Sequence, residues 1–241
     1  MLDEKTILYT GGSGLLGREL KKLLPYSLFP THSEFDVTNY LTMNDYLKKI
    51  NIKTIIHGAA FTSPPKVDKF PINALESNIL GTSNIVKLCS ENNVKLIYIS
   101  TDYVFKGDRG NYSEEDSVYP VNKYAWSKLG GECAVRMYDN SLIIRTSFGD
   151  NVFPYEKAFV NQYTSRENVS TFAKKLVKII DSGLIGTIHV GSKRRTVFEY
   201  AKSLNPLRKI KEISINDVEF KVPKDTSLNT EKYDKIFGEE R

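Results

Sequence analysis

Through its first two thirds the chain alternates short apolar runs with longer amphipathic segments. The runs Thr6–Thr10, Ser27–Thr31, Thr54–Ala60, Lys95–Thr101 and Leu142–Thr146 are rich in Ile, Leu, Val, Tyr and Phe and read as strands. Helical periodicity falls between them, near Leu15–Leu24, Thr42–Ile50, Ile72–Asn92 and Val121–Tyr138. Strand, helix, strand in this rhythm predicts an α/β chain whose parallel sheet is covered on both faces. After Gly149 the rhythm breaks. A loop-rich piece, DNVFPYEKAFVNQYTSREN, precedes an expected helix at Val169–Asp181, a strand at Gly186–Val190, a helix at Val197–Asn205 and a polar tail. Residues 1–149 are therefore read as the main domain. Residues 150–241 are read as a small C-terminal lobe that binds substrate, with 186–190 able to complete the sheet.

Directly after the first strand stands Gly11-Gly12-Ser13-Gly14-Leu15-Leu16-Gly17, followed by an amphipathic segment. Glycines there permit a tight turn and let backbone N–H groups and a helix N-terminus approach a pyrophosphate with no Cβ in the way. The register is ambiguous, fitting G-x-G-x-x-G from Gly12 and G-x-x-G-x-x-G from Gly11, but its place between strand and helix predicts a Rossmann-type doubly wound sheet that binds a dinucleotide. Cofactor choice is written at the end of the second strand, where an acidic side chain would pair with the ribose hydroxyls of NAD. The chain offers Thr31-His32-Ser33 instead, small donors and an imidazole suited to a phosphate. NADP(H) is favoured, and Glu34, one step on, keeps NAD(H) admissible. Asp36-Val37 follows, placed to touch the adenine; His32 and Asp36 taken singly read equally well as solvated loop residues.

The formal charge of +5 is spread among 29 acids, which gives no nucleic-acid surface. Cys89 and Cys133 show neither CxxC nor Cys/His spacing, so neither a disulfide scaffold nor a metal site is expected, and both read as buried small hydrophobes. The start MLDEKTILYT is charged and then strand-like, and no apolar run reaches the length of a membrane span. A cytoplasmic protein is expected; a homodimer is left open.

The stretch NKYAWSK puts Tyr124 four residues before Lys128. On a helix such positions share one face, where an ammonium could ease ionisation of a phenol and make it an acid or base near neutral pH. The pattern is cheap, since about 1.5 such pairs are expected by chance from this composition. Two occur; the other, Tyr119 with Lys123, is set aside because Pro120 disfavours helix at Tyr119. Pro120 itself suits the first turn of the helix. What raises Tyr124 and Lys128 is the strand Lys95–Thr101, which runs into Ser100-Thr101-Asp102-Tyr103. In an open parallel sheet the hydroxyls of Ser100 and Thr101 would face the same crevice as the glycine turn. A hydroxyl that binds a carbonyl, a phenol that protonates it and an ammonium that tunes the phenol describe hydride reduction of a ketone.

With GGSGLLG at 11–17, HGAA at 57–60, STDYVFKG at 100–107 and YAWSK at 124–128 in that order, the sequence resembles the extended short-chain dehydrogenase/reductase superfamily, within it the dTDP-4-dehydrorhamnose reductase branch of sugar-nucleotide reductases. Asn78, IRTSFGD at 144–150, IHVGSKRRTVFEYAK at 188–202 and VPKDTSLNTEKYDKIFG at 222–238 extend the resemblance over most of the chain. It implies Thr101, Tyr124 and Lys128 as the catalytic set, with Tyr124 protonating the keto oxygen of a nucleotide-linked sugar and Lys128 also holding the nicotinamide ribose. Gly11, Gly14, Leu15, Leu16 and Gly17 would take the pyrophosphate, Ala59 and Ala60 would line the dinucleotide, and Tyr103, Asn161 and Gln162 would face the substrate. Relatives of this fold also include epimerases, dehydratases and cofactor-holding regulatory subunits. A dehydratase would offer Thr-Asp-Glu where this chain has Thr101-Asp102-Tyr103. The chain departs from the family in a shorter lobe, in Arg166 where a proline often stands, and in extra loop residues within SPPKVDKF.

Overall fold

The computed structural model describes residues 3–238. In chain order its first half holds β1 (Ile7–Thr10), α1 (Leu15–Leu23), α2 (Tyr40–Leu47), β2 (Thr54–His57), α3 (Pro64–Lys69), α4 (Pro71–Ala74), α5 (Gly81–Asn92), β3 (Lys95–Ile99), α6 (Lys123–Val135) and β4 (Ser141–Thr146). Then come β5 (Phe148–Gly149), β6 (Lys157–Phe159), β7 (Tyr163–Thr164), β8 (Glu167–Asn168), α7 (Val169–Ile180), β9 (Gly186–Val190), β10 (Arg195–Thr196), α8 (Val197–Leu204), β11 (Lys211–Ile213) and α9 (Glu231–Phe237).

The central sheet is parallel throughout, in the order β1-β2-β3-β4-β9. Alternation along each strand sorts the core into two layers. Ile7, Tyr9, Ile97, Ile99, Leu142 and Ile144 pack under Leu16 and Leu20 of α1 and Phe172 and Leu176 of α7. Leu8, Leu96, Tyr98 and Ile143 face the other way, against Met43 and Leu47 of α2, Ile85 and Leu88 of α5 and Val135 of α6. This is the doubly wound α/β sheet expected from the sequence. The chain leaves β1 on one side, touches it once through Leu28, and returns on the other side as β2. The winding therefore reverses at β1, which opens a crevice beyond the carboxyl ends of β1 and β2.

Several elements differ from the sequence reading. The expected strand Ser27–Thr31 shrinks to a single bridge, Leu28 with Leu8, because Pro30 has no N–H to offer and the Thr31 N–H is taken by Glu34 Oε2 at 2.8 Å. The expected helix Ile72–Asn92 is broken by a π-helical turn at Leu75–Leu80. Part of SPPKVDKF, read as loop, folds as α3 and buries Val67. Pro120 lies outside α6, whose start is set by Asn122 accepting from the Ala125 N–H at 2.9 Å. Cys89 is buried as expected, whereas Cys133 is exposed. The chain also crosses the boundary drawn at 149, since α7 and β9 return to the central sheet. The lobe proper keeps its own small core of Phe153, Ala158, Val197, Tyr200, Ala201 and Ile210. The polar tail is not solvated: Asp225, Thr226 and Ser227 are all buried.

Candidate active site

A cleft of about 950 Å³ opens at the switch in winding. Its floor at one end is the glycine turn. Gly11 holds φ at +88°, and a Cβ there would stand 3.0 Å from the backbone nitrogen of Ala59, so only glycine lets the turn close on the neighbouring strand's extension. Gly14 is the N-cap of α1 and has no side chain to cap the helix, which leaves the first amides of α1 free for an anion at the cleft. Gly11, Gly14, Leu15 and Leu16 line the cleft. Gly17 does not; it packs α1 onto the turn, where a Cβ would meet Gly12 Cα at 2.6 Å. Behind the turn, His57 is buried between the Thr10 hydroxyl at 2.8 Å and the Thr82 hydroxyl at 3.1 Å. Burial lowers its pKa to about 3 and keeps it neutral, a strut between β1 and α5.

The adenine end is partly as expected. His32, Val37, Ala59 and Ala60 line the cleft, with Thr31 beside them. Ser33 is exposed and turned toward the Thr31 hydroxyl at 3.1 Å, and Asp36 is occupied locally by the N–H and hydroxyl of Thr38; neither lines the cleft. Glu34 folds back on Thr31, whose N–H and hydroxyl it accepts at 2.8 and 2.7 Å. The carboxylate nearest the strand end is thus engaged within its own turn.

At the other end β3 and α6 bring Thr101, Tyr124 and Lys128 to one wall. The N-terminal half of α6 is pinned from behind by Asn78, which sits in the π-helical turn and is fully buried. Its carboxamide accepts from Phe61 N–H at 2.7 Å and donates to Phe61 C=O at 2.9 Å and to the Ser127 hydroxyl at 2.8 Å. Gly131 lets α6 lie close, since a Cβ there would stand 2.4 Å from the Tyr98 hydroxyl.

Burial raises the Tyr124 phenol above its ordinary value of 10, against the pull of a hydrogen bond with Thr101. The expectation that Lys128 lowers this pKa is therefore corrected. The Lys128 ammonium, 3% exposed, stands 4.1 Å over the Tyr98 ring, and desolvation brings its own pKa down to about 7 against the upward pull of Glu132. Glu132 follows Lys128 by one turn on α6. It is fully buried, accepts from Arg145 Nε and Nη2 at 3.1 and 2.9 Å, and takes the Ser100 hydroxyl. Ser100 lines the cleft, but its hydroxyl is directed to Glu132.

Tyr103 lines the cleft edge-on to Tyr124, with ring centroids 6.5 Å apart, and its hydroxyl accepts from Gln162 at 2.8 Å. Gln162 is buried behind it. Asn161 is not brought to the cleft: its amide holds the Ser214 hydroxyl at 2.8 Å and the Ile215 N–H at 2.9 Å within the lobe. Asp102 was read in the sequence only as a mark against a dehydratase, yet it is buried on the same wall. It accepts from the hydroxyls of Thr101 at 3.2 Å and Thr226 at 2.6 Å, and burial raises its pKa to about 6. Phe29, Phe148, Phe153, Arg166 and Tyr200 also line the cleft; Phe148 and Tyr200 lie in stretches that carry the resemblance and Arg166 is one of its departures, but none of them was assigned to the site from sequence.

A profile of the RmlD substrate binding domain family matches residues 5–178, from the segment before β1 into α7. The chain belongs to this family. The matched residues take in the glycine turn, both catalytic candidates on α6 and Arg166. Among relatives of this RmlD-family chain, the dTDP-4-dehydrorhamnose reductase of Aggregatibacter actinomycetemcomitans is 30% identical over 191 residues, covering 76% of this chain and 65% of that protein. The chain thus spans about two thirds of that relative's length. The methionine adenosyltransferase 2 subunit beta of Pongo abelii is 27% identical, covering 83% of this chain and 71% of that one. The solved dTDP-4-dehydrorhamnose reductase of Bacillus anthracis, in complex with NADP, superposes with a TM-score of 0.87 at 25% identity, covering 100% of this chain and 94% of that chain. Among the described residues no helix is long and apolar enough to cross a membrane.

Proposed function

We propose that the chain is an NADPH-dependent reductase of a nucleotide-linked 4-keto-6-deoxy sugar. The observation that carries this reading is the arrival of Thr101, Tyr124 and Lys128 on one wall of a cleft whose other end is an uncapped helix N-terminus behind a glycine turn. That turn fits the pyrophosphate of a dinucleotide: its glycines leave no Cβ in the way and the first amides of α1 have no side-chain cap. Thr31 and His32 at the adenine end, with Glu34 tied to its own turn, favour NADP over NAD. The resemblance to a reductase solved with NADP points the same way.

Bound NADPH would supply a hydride to the keto carbon. The protein's part is to hold the keto oxygen and give it a proton. Thr101 positions that oxygen with its hydroxyl, and Tyr124, kept protonated by burial through the neutral range, donates to it as negative charge develops. Lys128, carried by α6 to the same wall, places positive charge there and is the group for the ribose hydroxyls. Ketone, NADPH and one proton give alcohol and NADP. The test is NADPH oxidation with a panel of nucleotide 4-keto sugars; consumption with at least one of them is expected. The similarity to a methionine adenosyltransferase subunit supports a second reading, a cofactor-holding regulatory subunit. Such a protein would bind NADPH and leave the whole panel unreduced.

A further inference from the structure

The lobe and the end of β4 give the cleft a further wall: Ser147, Asp150, Phe153, Tyr155, Arg166 and Tyr200. Arg166 is held on this wall by its backbone and its stem. Its carbonyl accepts from the Ser192 hydroxyl at 2.9 Å and from Arg195 Nη2 at 3.0 Å, its guanidinium carbon lies 6.0 Å from the Tyr200 ring centroid, and its Nε donates to the Ser147 hydroxyl at 3.2 Å. Among the described residues no carboxylate pairs with it and its two terminal nitrogens make no hydrogen bond. A guanidinium fixed by Nε, with its terminal fork open to a cleft, is built to take an oxyanion in two parallel hydrogen bonds.

We propose that Arg166 is the seat for the diphosphate of the nucleotide-linked substrate. This rests on the reading of that substrate given above. The NADP pyrophosphate belongs to the glycine turn at the far end of the cleft, so the anion met by Arg166 comes from the other ligand. A hexopyranose worked on at C4 carries its diphosphate across one ring, within reach of a side chain on another wall of the same cleft. Phe153 and Tyr155, edge-on with centroids 5.5 Å apart, add an aromatic surface beside the arginine for a base. The charge of Arg166 is felt at Tyr124, Tyr103 and Asp102, each of which it favours in the ionised form, consistent with a cation facing the reacting end.

The test is calorimetric titration of the NADPH-loaded chain with dTDP, UDP and thymidine, for the parent, Arg166→Met and Arg166→Lys, with the melting temperature of each. Arg166→Met should weaken both diphosphates by about 10- to 100-fold, the worth of a charge-assisted bond, while thymidine and NADPH affinities stay within twofold. Arg166→Lys should recover part of the loss. A dTDP affinity unchanged in Arg166→Met, an equal loss for thymidine, or a parent that binds neither diphosphate overturns the proposal. The two readings fail separately. Diphosphate-selective loss without turnover of any keto sugar leaves the seat and removes the reductase, whereas turnover with unchanged KM in Arg166→Met leaves the reductase and removes the seat.

Discussion

At the scale of single residues, Lys128 is the group most out of its ordinary state. The unfolded chain keeps its proton to about 10.5 and the folded chain only to about 7. Between those values unfolding takes up a proton, so this lysine makes stability rise with pH and costs most at pH 7 and below. Lys128→Met should therefore stabilise the fold by about 1–4 kcal/mol at pH 6, because Glu132 keeps Arg145 as its partner when the lysine is gone. Urea unfolding at pH 6 and pH 9 checks this: the gain should shrink at the higher pH. On the proposed function the same variant should bind NADPH more weakly, so that Lys128 would be kept at the expense of stability. Reductive turnover in the parent should fall as pH rises through about 7, where the ammonium is lost, and a stopped-flow pH series would register that as one titrating group. At the adenine end, His32→Ala should weaken NADPH and leave NADH within twofold, measured by fluorescence titration of both. Tyr124 and Lys128 do share one wall of the cleft, but their spacing alone was too common to single them out, and the direction of the tyrosine's pKa was not legible at all, because burial against Thr101 and Tyr103 depends on which walls meet.

Among the elements, the π-helical turn Leu75–Leu80 decides where α6 sits. Asn78 makes three hydrogen bonds from it, two to Phe61 and one to Ser127, which in turn bonds the Tyr124 carbonyl at 2.7 Å. Asn78→Ala should cost about 2–3 kcal/mol, since it leaves buried partners unmade, and should lower kcat through a displaced Tyr124 more than it raises the NADPH Kd. A urea titration alongside steady-state kinetics tests both. The sequence reads as one long helix here, and the π-helical turn inside it was missed because such turns occur as single-turn insertions within otherwise α-helical segments. The strands were legible wherever they were buried on both faces, as in Leu96–Ile99. They were not legible at the edge, where Ser27–Thr31 is apolar enough for a strand but Pro30 and Glu34 remove its donors. The start of α6 lay one signal away from the one read: Asn122 caps it, and Pro120 does not enter.

The whole molecule ties its C-terminal segment to its reacting end. Thr226, 124 residues from Asp102 along the chain, donates to that carboxylate at 2.6 Å, and no local pattern could have announced a contact of this separation. Asp102 has a folded pKa near 6 against an ordinary 3.8, so its contribution to stability is fully present below about pH 4 and is lost as pH rises through 6. Thr226→Val removes the bond that favours the carboxylate, so it should cost about 1.5–3 kcal/mol at pH 8 and distinctly less at pH 4.5, a difference that thermal melts at the two pH values would resolve. The cleft, turn and wall support the proposal that Tyr124 is the proton donor in reduction of a nucleotide-linked keto sugar. The most direct measurement is the rate of NADPH oxidation with such a sugar, for the parent and for Tyr124→Phe, each with its NADPH Kd. The variant is expected to bind NADPH within about twofold of the parent and to turn over about 100- to 10,000-fold more slowly. A variant that turns over within a few-fold of the parent would contradict it.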